Sequence, residues 1–439
     1  MTVVEWTLRA LRAALAAGTA TPSQLAESAL ANSNKNASRN TYIWQDPEWT
    51  RAEAACAESM TQAIPQSGGP FNDGRPTLWG LPISVKDCFD LAGSPTSCGV
   101  RFYRDRDREV SRDSWLVEQL RAAGAVITGK THLHPLAYGI TGENAEFGDC
   151  LQPSDSGALT GGSSSGAAAS VQEGSAVAAI GTDTGGSIRA PAALCGLAGY
   201  RASLGRGNWR GAAHLAQSFD TMGWLFRDLQ DAPYLAAPFA PAQGSEARRF
   251  TRFAFVDDSF LHDCEPEVAA CFRGVIRELE SLGLEARRIE TGWWADAMDI
   301  YAPLQAVEAA QIHAGNFDEF APAIRDRLMG GANLTPAEVS ALRQRHEAFR
   351  ARIDELFAAH ELLLLPSIPV ARLAAGADHS QTRMRLLRYT APFSLAGTPT
   401  VAIPCAQGGM QLSAARDADE ALLALAAQIG AQRNTSLSV

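Results

Sequence analysis

Two short glycine-serine segments constrain the fold of this chain more than any other feature. Gly-Gly-Ser occurs at residues 161–163 and again at residues 185–187. Glycine has no Cβ, so the backbone N–H groups of such segments can converge on a small anion. A serine hydroxyl beside those donors can attack a carbonyl carbon and leave the oxyanion among them. Because a helix start and an apolar run follow the first segment, we interpret it as part of a site and not as a flexible linker.

The rest of the chain alternates between strand-like and helix-like segments. Strands are predicted at residues 78–87, 125–130, 176–180, 253–256, 285–289, 362–365 and 400–403. Helices are predicted at residues 3–31, 52–64, 113–123, 265–282, 301–357 (with a break at 330–336) and 421–428. This alternation is typical of an α/β fold with a largely buried sheet. Strands occur on both sides of the Pro/Ala-rich stretch 236–245, which favours one sheet with a helical insertion over two domains.

Composition and charge exclude several functions. The 439 residues are 46% hydrophobic and 20% charged, as expected for a globular protein with a large core. The net charge is -10 and no basic block occurs, which argues against nucleic-acid binding. No apolar run is long enough to span a bilayer, and the first thirty residues lack the apolar core of a signal peptide. We therefore expect a cytoplasmic protein without membrane contact.

Neither the cysteines nor the histidines are arranged as a metal site. The eight cysteines are scattered and form no C-x-x-C pair. His132 and His134 would share one face of a strand, but no cluster of thiols or carboxylates stands near them. We predict reduced cysteines, no metal and no other cofactor.

Lysine is rare in this chain. Of 38 basic residues only Lys35, Lys86 and Lys130 are lysine. A buried lysine can lose its proton and act as a base, whereas arginine cannot. Lys35 lies in a polar stretch, which predicts exposure, but Lys86 ends an apolar strand, where desolvation would lower its pKa. The alternative is a surface ion pair between Lys86 and Asp87.

These features together resemble the amidase signature family. The family's two glycine-serine elements match residues 161–166 and 181–189, and flanking elements match 80–87, 137–144, 219–223 and 396–399. The resemblance covers most of the chain and is strongest from 78 to 225. It implies a single domain over 1–439, a large α/β/α sandwich with a mixed, mostly buried central sheet and helical elaborations. Within it we assign N-terminal helices to 1–65, the catalytic core to 78–225 and a helical insertion to 295–360.

The resemblance also implies a role for each site residue. Ser187 would be the nucleophile, Ser163 a bridging serine held by a cis peptide bond, and Lys86 the terminal base. The oxyanion hole would be formed by the N–H groups of Thr184, Gly185, Gly186 and Ser187. Residues expected to support the reacting groups are Ser164, Asp183 and Arg189, and those expected to border the acyl pocket are Tyr138 and Ile140. Lys130 would be near the site but structural.

The implied reaction is hydrolysis of a linear carboxamide through a serine acyl-enzyme, with release of ammonia or an amine. We expect a small or medium substrate, uncharged or weakly acidic. Pro135, Trp224 and Ser394 depart from the residues that many relatives carry at these positions. The departures leave Lys86 and both serines intact, and they bear on which amide the pocket accepts.

Three other interpretations compete with this one. Residues 162–166 also fit the Gly-x-Ser-x-Gly motif of α/β-hydrolases, but a loop precedes them where that fold needs a strand, and no later histidine has a distinctive setting. The chain could instead be the glutamine-hydrolysing subunit of a tRNA-dependent amidotransferase. An amidotransferase subunit would need protein partners. For this chain, the sequence is compatible with a homodimer or with a small partner subunit. A binding or scaffold protein with a relic site is disfavoured because all three relay residues are present.

Overall fold

A mixed β-sheet runs through the computed structural model, which describes residues 6–59, 74–106, 109–236 and 249–436. Its strands in these ranges are β1 Tyr42–Trp44, β2 Pro82–Lys86, β3 Val126–Thr131, β4 Ala178–Asp183, β5 Ala198–Arg201, β6 Thr221–Phe226, β7 Arg252–Val256, β8 Glu285–Ile289, β9 Leu362–Pro366, β10 Thr400–Pro404 and β11 Gly409–Ala414. Their order across the sheet is β1-β3-β2-β4-β6-β5-β10-β11-β9-β7-β8.

Helices connect the strands. They are α1 Leu8–Ala16, α2 Pro22–Lys35, α3 Pro47–Ser59, α4 Arg101–Arg106, α5 Trp115–Ala122, α6 Ser165–Glu173, α7 Arg189–Leu194, α8 Pro266–Ser281, α9 Ala297–Ile312, α10 Pro322–Ala332, α11 Pro336–His360, α12 Ser380–Ala396 and α13 Asp419–Ser436. Several begin where the sequence provides a cap. For example, Thr21 accepts the N–H of Gln24, whose side chain accepts the N–H of Thr21 in return. No helix of the described ranges is both long enough and apolar enough to cross a bilayer.

The centre of the sheet is buried on both faces. Strands β4, β6 and β10 direct alternate residues to opposite sides. Ala179, Leu225 and Ala402 belong to a cluster with α6 and α7. Their neighbours Ile180 and Trp224 belong to a larger cluster that includes α5 and α13. Helices therefore cover both faces, and the predicted α/β sandwich with a mixed, largely buried sheet is confirmed.

Parallel strand pairing brings polar residues from two strand ends together at one edge of the sheet. Strand β2 pairs in parallel with β3 on one side and with β4 on the other. Ile83 lies opposite Ala178, and Val85 lies opposite Ile180. The carboxyl ends of β2 and β4, at Lys86 and Asp183, consequently meet at the same edge of the sheet.

The predicted helix break at 330–336 is confirmed only in its second half. Residues 333–335 separate α10 from α11, but Gly330 and Gly331 lie inside α10 and do not interrupt it, and a break that was not predicted lies at 313–321. A Cβ on Gly331 would stand 2.1 Å from the carbonyl oxygen of Ala306. Gly331 is therefore required by the close packing of α10 on α9 and does not mark a turn.

Other boundaries differ in ways that local patterns explain. Helix α3 begins at Pro47, before the predicted start at 52. Residues 60–64 of that predicted helix lie outside the described ranges. The predicted linker at 236–245 also lies outside them, except for Ala236. From the sequence, no strand is predicted at β1, β5, β6 or β11 and no helix at α12. Strand β5 has only four residues, β6 contains Gly223, and α12 contains Pro392, so each lacks a clear periodic signal.

Candidate active site

Lys86, the last residue of β2, lies at the centre of a buried polar cluster. Its side chain is fully buried. Nζ donates to Ser163 Oγ at 2.8 Å, to Thr182 Oγ1 at 2.8 Å and to Ser164 Oγ at 3.1 Å. Burial lowers the pKa of Lys86 to about 8, although the negative charges of Asp183 and Asp220 act in the opposite direction. At pH 7 roughly a tenth of Lys86 is therefore unprotonated and able to accept a proton, and this fraction rises steeply toward pH 8.

The two glycine-serine segments are linked to each other through their backbones. The N–H of Ser164 donates to the carbonyl of Ser187 at 3.2 Å. The peptide bond between Gly162 and Ser163 is cis, as the resemblance implies. Ser163 is completely buried beside Lys86, whereas Ser187 retains 5% exposure. Of the two serines, Ser187 lines a small pocket, and Ser163 does not.

A buried ion cluster fixes the loop that carries Ser187. Asp183 ends β4 and accepts the N–H groups of Gly186 and Ile188 at 2.8 and 3.1 Å. Arg189 and Arg201 each pair with Asp183 Oδ1 at 2.9 Å. Burial alone would raise the pKa of Asp183, but the two guanidinium groups hold it below its usual value. Asp183 is thus an anion that shapes the loop, and its charge is compensated without any ligand.

The predicted oxyanion donors are not equivalent. Gly186 has φ = 114°, and a Cβ there would meet Thr390 Cγ2 at 2.6 Å, so only glycine fits. Its N–H already has an acceptor in Asp183. The N–H groups of Thr184, Gly185 and Ser187 have no acceptor among the described residues. These three are the donors that an oxyanion would find available, and Gly186 contributes mainly by shaping the loop.

A small pocket opens at Ser187. Its lining includes Tyr138 and Ile140, which we predicted there, together with Gly185. It also includes residues that were not predicted, namely Ala137, Gly139, Tyr301, Gln305, Arg383 and Leu387. The side-chain amide of Gln305 donates to the hydroxyl of Tyr301. Most of the unpredicted residues come from α9 and α12, far from the motif in sequence.

The alternative role for Lys86 is wrong. Asp87 pairs with Lys130, with Oδ1 and Nζ 2.7 Å apart, and both side chains are buried. Lys130 also donates to the carbonyl of Pro95 and to Thr96 Oγ1. Among the described residues Lys86 therefore has no carboxylate partner, whereas Lys130 is held in a structural ion pair beside the site.

Some residues of the site escaped prediction although they lie within the motif region. Thr182 binds Lys86 Nζ, and Arg201 anchors Asp183. Thr184 Oγ1 donates to Asp220, which also accepts from His214 and from two backbone N–H groups. A buried polar residue at a strand end was the available signal for Thr182. Arg201 gave no local signal, because its partner Asp183 lies on another strand, and the contact of Asp220 with Thr184 likewise joins residues far apart in the chain.

The departures from the family pattern lie outside the pocket lining. Trp224 is fully buried in β6, and Ser394 Oγ accepts from Arg189 at 2.8 Å. Pro135 begins a short turn after His134. In the described part of the chain no three His, Cys, Asp or Glu side chains are grouped so that they could hold a metal ion.

Comparisons with known proteins agree with this geometry. The sequence model of the family described as Amidase matches residues 49–423. The chain is 31% identical to the indoleacetamide hydrolase of Pseudomonas savastanoi over 92% of this chain and 90% of that protein. It is 30% identical to a subunit of the glutamyl-tRNA(Gln) amidotransferase of Roseiflexus castenholzii, over 87% of this chain and 86% of that subunit. A crystal structure of an amidase superposes with a TM-score of 0.86 and 30% identity, over 97% of this chain and 99% of that one. The chain therefore belongs to the amidase signature family and is an amide-hydrolysing enzyme.

Proposed function

We propose that this enzyme hydrolyses the C–N bond of a linear carboxamide through an acyl-enzyme on Ser187. The observation that carries the proposal is the buried contact of 2.8 Å between Lys86 Nζ and Ser163 Oγ, next to a pocket that opens on Ser187. A lysine whose pKa is lowered to about 8 by burial, and whose contacts are hydroxyl groups, suits a general base.

The proposed reaction uses these residues in the following order. Neutral Lys86 accepts the proton of Ser163, Ser163 accepts that of Ser187, and Ser187 Oγ bonds to the amide carbon. The oxyanion is stabilised by the N–H groups of Thr184, Gly185 and Ser187. The tetrahedral intermediate collapses when the relay returns the proton to the leaving nitrogen, which departs as ammonia or an amine. Water then attacks the ester by the same relay and releases the carboxylic acid and free Ser187.

Ser187 Oγ must reach Ser163 Oγ for this relay to operate. Hydrogen bonds in an active site commonly shorten only when substrate is bound. The hydrogen bond from Ser164 N–H to the Ser187 carbonyl keeps the two segments adjacent. A substrate seated against Gly185 would bring its carbonyl oxygen to the same loop.

The pH dependence of turnover should follow the titration of Lys86. Because the base must be unprotonated and its pKa is about 8, we expect kcat/KM to rise about tenfold per pH unit below that value and to level off above it. The measurement is initial ammonia release between about pH 6 and 9.5, a range that brackets this pKa, from an amide that does not titrate there. Circular dichroism at each pH controls for unfolding. A kcat/KM that is flat or falling below the pKa would contradict the role of Lys86.

Substrate class can be tested with the isolated chain. We expect the isolated chain to release ammonia from simple primary carboxamides without a partner subunit, because all three relay residues belong to this one chain. The panel should include short aliphatic amides, an aromatic acetamide, an anilide and glutamine. Release of ammonia from glutamine alone would instead favour a second candidate function.

That second candidate is a glutamine-hydrolysing subunit that works with protein partners. It is supported by the similarity to a subunit of an amidotransferase, whose identity and coverage are close to those of the indoleacetamide hydrolase. In that case activity would require a further subunit. Size-exclusion chromatography with light scattering, combined with the amide panel, separates an independent monomer or homodimer from a subunit that is active only in a complex.

A further inference from the structure

A chain of hydrogen bonds runs outward from the loop that carries Ser187. Thr184 Oγ1 donates to Asp220 Oδ1 at 2.6 Å. His214 Nδ1 lies 2.9 Å from Oδ2, the other carboxylate oxygen of Asp220. Thr184 and Asp220 are buried, whereas the side chain of His214 is 22% exposed. The chain therefore joins a residue of the proposed oxyanion hole to a histidine near the protein surface.

The carboxylate of Asp220 is held in place by the turn that contains His214. Its Oδ2 accepts the backbone N–H groups of the two residues that follow His214, at 2.9 and 3.0 Å. The ring of His214, which bonds to the same oxygen, is stacked on Trp209 with ring centroids 4.2 Å apart. Since three donors hold Oδ2, the position of Oδ1 is fixed as well, and Oδ1 is the oxygen that accepts from Thr184.

The peptide unit between Thr184 and Gly185 is held differently from its neighbours. The carbonyl of Asp183 accepts from Thr221 Oγ1 at 3.0 Å, and that of Gly185 accepts from Thr390 Oγ1. The carbonyl of Thr184 accepts no hydrogen bond within the described ranges. Because the C=O and N–H groups of one trans peptide unit point in opposite directions, a held carbonyl also fixes the N–H across from it. The N–H of Gly185 lacks this support.

The side chain of Thr184 supplies the missing support. The hydrogen bond to Asp220 holds the hydroxyl of Thr184 in one χ1 rotamer. The rotamers of a β-branched residue depend on its backbone angles, so a fixed χ1 restricts φ and ψ of Thr184. The direction of the next N–H, that of Gly185, is restricted with them. Gly185 lines the pocket at Ser187, where an oxyanion would form.

Asp220 and His214 do not form a second proton relay. A His–Asp pair can act as the general base for a serine nucleophile. Here His214 does not line the pocket at Ser187, and its bonded nitrogen faces a carboxylate that is itself bonded to Thr184. The pair therefore acts on the loop and not on the proton of the nucleophile.

The charge of Asp220 opposes the proposed reaction, and this separates the charge from the hydrogen bond. Burial lowers the pKa of Lys86, and the negative charge of Asp220 counteracts that lowering. The same charge would repel an oxyanion at the neighbouring loop. Removal of the charge alone should therefore raise kcat/KM near neutral pH, whereas loss of the hydrogen bond to Thr184 should lower kcat.

We infer that Asp220 is a positioning residue of the oxyanion hole: by holding the Thr184 hydroxyl, it keeps the Gly185 N–H directed at the carbonyl oxygen of the substrate. The inference rests on the proposed function, because it requires an oxyanion formed by attack of Ser187. His214 supports the same carboxylate from outside. Asp220 touches no reacting atom, and its contribution belongs to the transition state, where the oxyanion develops.

Two variants of nearly unchanged shape test the inference in the full chain. Asp220→Asn leaves one acceptor oxygen for four donors, and Thr184→Val removes the hydroxyl. With the most active primary amide of the panel, we expect each variant to lower kcat by about 10- to 100-fold and to change KM by less than about threefold, since a misdirected oxyanion donor weakens the transition state alone. Thr184→Ser keeps the hydroxyl and should lose less activity than Thr184→Val.

Asp231→Asn provides the matched control. Asp231 is also a buried carboxylate that accepts two successive backbone N–H groups, those of Leu8 and Arg9, at 2.8 and 3.2 Å. It accepts from one basic side chain as well, through Arg9 Nε at 3.1 Å. Asp231→Asn should lower the free energy of unfolding and leave kcat and KM unchanged. Thermal unfolding of every variant measures the structural part of each effect.

A boronic acid provides a readout that a structural role alone would not move. The probe carries B(OH)₂ in place of the carboxamide of the same amide. Ser187 Oγ bonds to the trigonal boron, the serine proton passes to the relay, and the resulting tetrahedral boronate carries its negative charge in the oxyanion hole. Its inhibition constant should rise about tenfold or more in Asp220→Asn and in Thr184→Val. Asp231→Asn should keep the wild-type value.

The outcomes separate this inference from the proposed function. If Ser187→Ala still hydrolyses the amide, the proposed function fails and the inference fails with it, because no oxyanion then forms at this loop. If Ser187→Ala is inactive but Asp220→Asn keeps or raises kcat, only the inference is overturned. A fall in kcat that Asp231→Asn shares would overturn it too. Should Asp220→Asn not fold, Thr184→Val leaves the carboxylate in place and must still lower kcat and weaken boronate binding.

Discussion

Ser187→Ala is expected to lower kcat by about 10⁴-fold or more, because nucleophilic and relay residues act as a unit and loss of one disables the others. The serine hydroxyl is the atom that bonds to the substrate, and among the described residues no other serine or threonine lines this pocket. Ser187 is small and nearly buried, so removal of one oxygen should leave the fold intact. The measurement is kcat for ammonia release at a pH near the pKa of Lys86, with thermal unfolding as the test of folding.

A neighbouring serine provides the control for this variant. Ser165 is buried at the start of α6, and its hydroxyl contacts the carbonyl of Ser163 at 3.5 Å. Ser165→Ala should change kcat by less than about tenfold, as expected for loss of one weak hydrogen bond. Mass spectrometry of wild-type enzyme with a slowly deacylating substrate should place the acyl group on the peptide that contains Ser187. An acyl group on Ser163, or full activity of folded Ser187→Ala, would contradict the assignment.

Lys86→Met is expected to reduce kcat/KM by about 10²- to 10⁴-fold, the usual contribution of a general base. Methionine keeps most of the volume of the side chain, so the change removes the base without opening a large cavity. The residual activity should also lose its rise with pH, since the titrating group is gone. Lys86→Ala should be no more active, and full activity of either folded variant would disprove the relay.

Lys130→Met gives the matched comparison, because it changes the other buried lysine at the same edge of the sheet. Its loss leaves Asp87 as a buried anion without its partner. We expect a lower free energy of unfolding, by about 3–5 kcal/mol. The two substitutions should therefore differ in kind: Lys86→Met affects turnover and its pH profile, whereas Lys130→Met affects stability first. Denaturant unfolding curves measured beside the kinetics distinguish them.

Much of the site was predictable because its chemistry is local. The glycine segments identify loops where backbone N–H groups converge, and the rarity of lysine draws attention to Lys86. An apolar strand that ends on a charged residue also predicts where burial will lower a pKa. Three sequence-distant groups, at β2, at the start of α6 and after β4, could be assigned to one site through the family resemblance. The structure places Lys86, Ser163 and Ser164 within hydrogen-bonding distance.

The substrate side of the site was not predictable in the same way. Arg383, Arg327 and Tyr301 lie on α12, α10 and α9, and no local motif marks any of them as a residue of the pocket region. Whether an arginine there pairs with a surface carboxylate or turns inward depends on how α9, α10 and α12 pack. Gly331 shows the same limit, since a residue that suggested a break is required for helix packing.

The sequence by itself therefore determined the family, the α/β architecture and the residues expected to react, because these depend on periodicity and on motifs of fixed spacing. Only the tertiary structure decided which lysine pairs with a carboxylate, since Asp87 turns to Lys130 and away from Lys86. It also decided that Gly186 gives its N–H to Asp183, and that Arg383 lines the pocket at Ser187. These outcomes depend on contacts between elements far apart in the chain, where burial and charge balance are set by packing and not by local sequence.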